Sequence, residues 1–334
     1  MRNPSTETIE RALYDERSVL RLHGFRNTMW VMTPSMASAM FWSTSFKLAQ
    51  AQTKRLVGLV ESNAITDDAG RWVAGGKATL LTELAGRGTA TTRELGAACP
   101  QYAARLEVQG ASVSAHSRLM MCLGFDGSIV RTRPQGTWVS SQYVWAPMGR
   151  WIGGGLPASD PETAAASVLD AYLRAFGPVT TTDIRWWTGW AAGLARETIA
   201  AIGAVSVRID DGEAWMAADD FGHGNDVPAP WVAFLPSLDP TTMGWKQRGW
   251  YLMSADAERL FDRNGNAGPT VWMDGRVVGG WGQAEDGEIR YALFDDEAGA
   301  RIDEVEAEAH RVATFYGETR HRPRFPTPTQ RELY

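Results

Sequence analysis

The sequence predicts a mixed α+β chain, and three observations carry that reading. Helical and strand periodicities both recur along its 334 residues. An eight-residue element occurs twice: Gly88-Thr89-Ala90-Thr91-Thr92-Arg93-Glu94-Leu95 matches Gly177-Pro178-Val179-Thr180-Thr181-Thr182-Asp183-Ile184 at a constant offset of 89. An element repeated at fixed offset is stronger evidence than either copy alone. Each copy lies between an apolar helix and a later strand pair, and short helices followed by a hairpin are the order of a winged helix-turn-helix. The expected fold is tandem winged helix-turn-helix units followed by a small C-terminal β-barrel-like domain with a terminal helix.

In chain order, residues 6–17 are expected as a short helix. Val19 to Met32 then reads as a β-ribbon with Leu20, Leu22, Phe25, Met29 and Val31 as apolar positions and a bend at Gly24 and Arg26-Asn27. A ribbon without three helices before it suggests the remnant of a first winged helix, so residues 1–73 are assigned to that remnant plus connecting helices. Its apolar face is then expected to lack cover. Pro34 opens one connecting helix, and another runs from about Thr53 to Val60.

The first full unit is placed at residues 74–150, with an apolar helix (Leu80, Leu81, Leu84), the Thr91-Thr92 cap and a helix from about Ser112 to Leu123. Strands Ile129 to Arg133 and Thr137 to Tyr143 follow, joined by Pro134-Gln135-Gly136. Trp151 to Asp160, with Gly153-Gly154-Gly155, is a linker. The second unit occupies residues 161–219. Leu169, Tyr172, Leu173 and Phe176 mark a helix stopped by Gly177-Pro178. Threonines cap the next helix, which opens at Asp183 and carries Ile184, Trp186, Trp187 and Trp190. A helix from Ala195 to Ile202 and a hairpin about Asp210-Asp211-Gly212 complete it.

From Trp231 the periodicity turns to strands, at Trp231 to Leu235, Thr270 to Met273, Arg276 to Gln283 and Glu288 to Phe294. With a helix from about Ala298 to Tyr316 they form a β-domain at residues 231–317. Residues 318–334, with three prolines, are expected as an extended tail.

Apolar content of 44% and charged content of 22% are ordinary for a soluble globular protein. Cys99 and Cys122, in no metal-like spacing, fit a reducing cytoplasm rather than a disulfide framework. No apolar run approaches the roughly 18 residues of a membrane helix. The expected location is cytoplasmic, with no membrane partner. A net charge of −6 argues against an indiscriminate nucleic-acid binder, but it is uneven. Residues 101–150 carry five arginines against Glu107 and Asp126, a balance of +3, whereas residues 251–320 carry fifteen acids against seven arginines, a balance of −8. A basic face on an acidic whole suits a protein that meets DNA with one side.

The stretch Ser112 to Arg118 places small hydroxylated residues with His and Arg at the start of a recognition-like helix, where they suit phosphate and base-edge contacts. Ser114, His116, Ser117 and Arg118 are therefore DNA-binding candidates, joined by Arg131 and Arg133 on the wing. The second unit offers Arg185 and Arg196, beside tryptophans that suggest packing. The Pro-, Thr- and Trp-rich loop from Leu235 to Trp250 adds Lys246 and Arg248. Gln50-Ala51-Gln52 lies in a polar run between two helices and reads as solvated surface. Asp262-Arg263-Asn264-Gly265-Asn266 imitates the start of a calcium loop but has Met273 at the twelfth position, so it reads as a turn. The five histidines are scattered, and neither a P-loop nor a catalytic triad can be argued. No metal or cofactor is expected.

Three separated blocks, A-Y-L-R-A-F-G-P-V-T-T-T-D-I-R-W-W-T-G, L-P-S-L-D-P-T-T-M-G-W and G-P-T-V-W-M-D-G-R-V-V-G-G-W, resemble the winged-helix DNA-binding proteins that include the crosslink-repair and azinomycin-resistance DNA glycosylases. The resemblance implies three tandem winged helices and a small β-barrel in a C-shape around duplex DNA. It also implies, for some members, hydrolysis of the N-glycosidic bond of bulky alkylated or crosslinked purines. The family's catalytic mark is Gln-x-Gln or Gln-x-Asp ahead of a segment like E-R-A-L-Y-D-E-R-S, which here occupies residues 10–18. The catalytic position is therefore expected upstream of Met1, and Gln50-Ala51-Gln52, which follows that segment, is not assigned the role. No catalytic residue is carried over. Two functions are expected: a DNA-binding protein resembling the glycosylases but lacking the catalytic strand, or a non-catalytic regulatory or protective DNA-binding protein. The expected partner is duplex DNA and the expected state a monomer.

Overall fold

A computed structural model describes residues 5–108, 110–136, 140, 142–210, 212–222, 228–323 and 325–334. The chain divides into two compact units, Met1–Ala175 with Thr188–Ala204, and Phe176–Trp187 with Val205–Tyr334.

The first unit begins with α1 (Thr6–Glu10), capped by the Ser5 hydroxyl and continued by one wide turn, Arg11–Asp15. Strands β1 (Leu20–His23) and β2 (Met29–Met32) pair antiparallel, with Leu20 opposite Met32 and His23 opposite Met29. The ribbon is not bare as expected. Leu20 and Leu22 are buried, because β1 lies against α2 (Pro34–Met40), α6 (Ala115–Phe125) and β6 (Ile129–Arg131); Val31 is left exposed.

Pro34 opens α2 behind a Thr33 cap. A wide turn at Phe41–Ser45 joins it to α3 (Phe46–Ser62), so residues 34–62 are nearly one helical run. Gln50-Ala51-Gln52 therefore lies inside α3, not between two helices. Next, α4 (Ala69–Arg87) starts at an Asp68 cap and stops at Gly88, whose φ of 81° suits glycine. Then come β3 (Ala90–Thr91), α5 (Thr92–Ala98), β4 (Arg105–Val108) and β5 (Ala111–Ser114). Helix α6 starts at Ala115 rather than Ser112, because Ala111 to Ser114 is spent on pairing with β4. β7 (Val144–Pro147) is the central strand of the order β3-β7-β6. The strand expected over Thr137 to Tyr143 falls largely on residues 137–139 and 141, outside the described residues. A short α7 (Met148–Trp151) and the long α8 (Pro161–Phe176) follow. α9 (Thr181–Thr188) lies almost wholly in the second unit, and α10 (Ala192–Ala201) returns to the first.

The core of the first unit gathers Leu56 and Val60 of α3, Val73, Leu80 and Leu84 of α4, Leu95 of α5, Leu106 of β4, Leu119 and Leu123 of α6, and Ile129 of β6. Leu80 and Leu84, one turn apart, put one face of α4 into it, each such burial being worth roughly 1.5–3 kcal/mol.

In the second unit β8 (Val205–Ile209) and β9 (Gly212–Met216) form the expected hairpin. β10 (Val232–Leu235) leads through α11 (Pro240–Met243) and α12 (Ser254–Leu260) to β11 (Thr270–Met273), β12 (Arg276–Gln283) and β13 (Ile289–Leu293). The sheet order is β10-β11-β12-β13, antiparallel throughout, with β10 and β13 as separate edges. The expected barrel is thus an open sheet. Both faces are covered instead. After α13 (Asp296–Gly299), helix α14 (Ile302–Tyr316) packs Val305, Ala309 and Val312 against Phe234, Val271 and Trp281. Tyr251, Leu252 and Leu260 meet Trp272 and Val277 on the opposite side. Gly279 permits the close approach of β13, since a Cβ there would lie 2.3 Å from the Ala292 carbonyl oxygen. The chain ends not in an extended tail but in α15 (Pro328–Leu333), where Thr327 and Gln330 form a capping box and Thr329 donates to the Arg259 carbonyl (3.0 Å).

The repeated element has one local structure in both copies. Glu94 N–H donates to Thr91 Oγ1 (3.2 Å), while Thr91 N–H and its hydroxyl donate to Glu94 Oε2 (2.7 and 2.8 Å). Asp183 N–H likewise donates to Thr180 Oγ1 (3.1 Å), while Thr180 N–H and its hydroxyl donate to Asp183 Oδ2 (3.0 and 2.7 Å). The preceding residue bridges to a strand tryptophan in each case, Ala90 to Trp145 and Val179 to Trp215. Those two indoles donate to Thr92 Oγ1 and Thr181 Oγ1, each at 3.1 Å.

Candidate nucleic-acid interface

The first unit carries a cleft of about 470 Å³ where the ends of β1, β6 and β7 meet the first turns of α5 and α6. The Thr91 cap fixes Thr92 and Arg93 at its rim, and α6 contributes Ser117, Met120 and Met121. His23, Arg131, Gln142, Tyr143 and Trp145 line it too, and none of the described lining residues carries a carboxylate.

Arg131 is the central cation. Its guanidinium lies 4.0 Å from the Tyr143 ring centroid and 5.1 Å from that of Trp145, directly across the strand pair in register. Its Nε is buried without a hydrogen-bond partner. Burial pushes its pKa down, and Arg21 adds to this, against the opposing pull of Tyr143. An anion arriving in the cleft would restore what this group loses by desolvation.

His23 packs against Phe125 with ring centroids 4.6 Å apart and the planes tilted by 32°. Gly124 allows that approach, because a Cβ there would sit 3.1 Å from His23 Nδ1. Burial, and secondly the charge of Arg131, lower its pKa from 6.5 to about 4. The cleft therefore holds a neutral imidazole at neutral pH.

Beside the cleft, Arg21 donates to the Thr132 carbonyl (2.7 Å) and lies over the Tyr14 ring. Arg133 covers the same ring at 4.7 Å and is ion-paired with Glu10 and, at 3.8 Å, Asp15.

The structure brings together two of the ten sequence candidates, Ser117 and Arg131. Ser114 ends β5 and sits at the N-cap of α6 without a side-chain cap bond. His116 is buried, its Nε2 3.0 Å from the Cys99 carbonyl oxygen, where it ties α6 to the end of α5. Arg118 is half-buried, and Arg133 is held by its acids. Arg185 on α9 and Arg196 on α10 are exposed, in different units. In the second unit Lys246 is exposed and Arg248 lies between the rings of Trp186 (5.1 Å) and Phe261 (4.5 Å). His23, Arg93, Gln142 and Tyr143 were not foreseen. Arg93 stands inside the repeated element, and an aromatic pair across a strand from arginine was the available signal for Tyr143 and Trp145.

Gln50 lines a separate cleft with Phe41, Phe46 and Val57, while the Gln52 amide donates to Asn27 Oδ1 (3.1 Å). Asp262 accepts from the Asn264 and Asn266 N–H groups (2.8 and 2.9 Å), a closed turn. Among the described residues no group of three or more His, Cys, Asp or Glu could hold a metal ion, and no helix is long and apolar enough to cross a membrane.

A family model described as DNA glycosylase AlkZ-like matches residues 1–315. An interstrand DNA cross-link repair glycosylase of Streptomyces sahachiroi is 25% identical over 177 residues, 48% of this chain and 45% of that protein. The match thus spans about half the length of the curated relative. The solved structure of the DNA glycosylase AlkZ of the same organism is similar with a TM-score of 0.71 and 21% identity, covering 95% of this chain and 84% of that one, a likeness of fold.

Proposed function

This chain belongs to the AlkZ-like DNA glycosylase family, and on that premise we propose that it is a DNA-repair protein that binds duplex DNA through the cleft of its first unit. The reaction proposed is excision of bulky alkylated or crosslinked bases by hydrolysis of the N-glycosidic bond. The observation that carries the DNA reading is the cleft itself. Arg93 and Arg131 line it with no carboxylate among the described lining residues, and Ser117, Thr92 and Gln142 supply neutral hydrogen-bonding groups. That set suits phosphate contacts by the arginines and sugar or base-edge contacts by the others.

We read the two Thr-x-x-acid caps, with their flanking helices and strand pairs, as tandem winged helices. The repeated cap, bridge and indole contact support this. Arg93 would then stand on a helix presented to the groove.

Cleavage of the glycosidic bond needs a water positioned against the sugar as positive charge develops on it. In the cleft, His23 and Gln142 are groups able to orient such a water. A non-catalytic DNA-binding protein on the same scaffold is the competing reading, favoured by a cleft whose described lining offers no carboxylate to activate a water. Incubating the purified protein with duplex DNA carrying a 7-alkylguanine decides between them. Release of the base supports the glycosylase, and binding without release supports the alternative.

A further inference from the structure

The loop between α11 and α12 of the second unit is fixed at its base and open at its tip. Asp183 Oδ1 accepts the backbone N–H groups of Lys246 (2.8 Å) and Gln247 (3.0 Å). The Trp245 indole donates to the Phe176 carbonyl (3.0 Å), and Tyr251 OH donates to the Thr242 carbonyl (3.0 Å). From that frame a run of rings leads outward. Tyr251 stacks on the buried Trp272 at 5.2 Å and 17°, and Trp250 meets Tyr251 and Trp245 edge-on at 4.8 and 5.0 Å. Trp250 itself is 53% exposed.

The charge of this loop opposes that of its surroundings. Residues 240–255 contain Lys246 and Arg248 and no acid, within a C-terminal half that is otherwise strongly acidic. Arg248 is the fixed part of that charge, held between the Trp186 and Phe261 rings with Nε and Nη2 buried. Lys246 is the exposed part. An exposed indole beside cations matches a nucleotide whose base has left the stack, because a paired duplex hides its base faces and leaves only base edges, sugars and phosphates accessible.

We propose that this loop is a second nucleic-acid contact, in which Trp250 stacks on an unpaired base and Lys246 meets a neighbouring phosphate. It rests on the DNA-binding reading above, and extends it by selecting DNA that contains an unpaired nucleotide.

The test uses two labelled duplexes of about 20 base pairs, one fully paired and one with a single unpaired nucleotide, titrated with the whole chain. The wild-type protein is expected to prefer the second duplex. Trp250→Ala should weaken that binding about tenfold while changing the paired duplex less than about twofold, and Trp250→Phe should keep most of the preference. Lys246→Gln should weaken both duplexes and lower the salt slope by about one. If the wild type binds both duplexes equally and Trp250→Ala is silent, the loop proposal is wrong and the DNA reading stands. If the wild type binds neither, the DNA reading fails and this site with it. Trp250 lies at the surface, so circular dichroism should show an unchanged fold in every variant.

Discussion

The two Thr-x-x-acid caps are the same device put to different uses. In the first copy the carboxylate of the exposed Glu94 turns back onto its own cap, and Thr91, Thr92 and Arg93 look into the cleft. In the second, Asp183 is 2% exposed and its free oxygen accepts two amides of the 244–250 loop. A helix start with an uncommitted face is open to a ligand, whereas one whose acid serves a neighbouring loop is a joint. The difference is one methylene in the acid and the presence of that loop.

The largest effect should separate the caps directly. Asp183→Ala removes the acceptor of buried Thr180 donors and of the part-buried Lys246 and Gln247 amides, and should cost about 3 kcal/mol of stability by urea denaturation. Thr91→Ala removes one cap acceptor and should cost about 1 kcal/mol. Equal losses would break the comparison.

The next effect tests the open site through pH. His23 has a folded pKa of about 4, below its usual 6.5, so the unfolded chain takes up the proton first. Stability is full above pH 6.5 and falls as pH drops through that window, by about 2 kcal/mol at pH 5 and about 3 kcal/mol below pH 4. Melting curves of the wild type and His23→Gln between pH 7 and 5 check this, where most carboxylates remain ionised. The variant should lack that part of the slope.

The smallest effect compares the two indole contacts. Trp145→Phe and Trp215→Phe each delete an N–H donated to a cap-side threonine and shrink the ring, and should cost at least about 1 kcal/mol apiece, more at the buried Trp145. A silent Trp215→Phe would mean that the second contact is incidental.

Much of this architecture was legible in the sequence where local chemistry decides it. The 89-residue offset located both caps, and the strands Thr270 to Met273 and Arg276 to Gln283 stand at their expected bounds because Asp274-Gly275 dictates the turn. What sequence order hid depended on partners distant along the chain. Ser112 to Ser114 reads as a helix start until β4 claims it, and the covered sheet reads as a barrel until α14 and the Tyr251 cluster occupy its faces. The cleft was half legible. Ser117 and Arg131 are legible by residue type, but His23 enters from a ribbon 108 positions before Arg131, and His116 reads as a ligand contact although the fold buries it against the Cys99 carbonyl.

DNA binding by the cleft of the first unit is tested most directly by the affinity of the wild type and of the Arg93→Gln/Arg131→Gln double variant for duplex DNA across a salt series. The wild type should bind with an affinity that falls linearly in log salt. The variant, folded by circular dichroism, should bind about tenfold or more weakly, with a salt slope lower by about two. A folded double variant with unchanged affinity and slope would contradict the account.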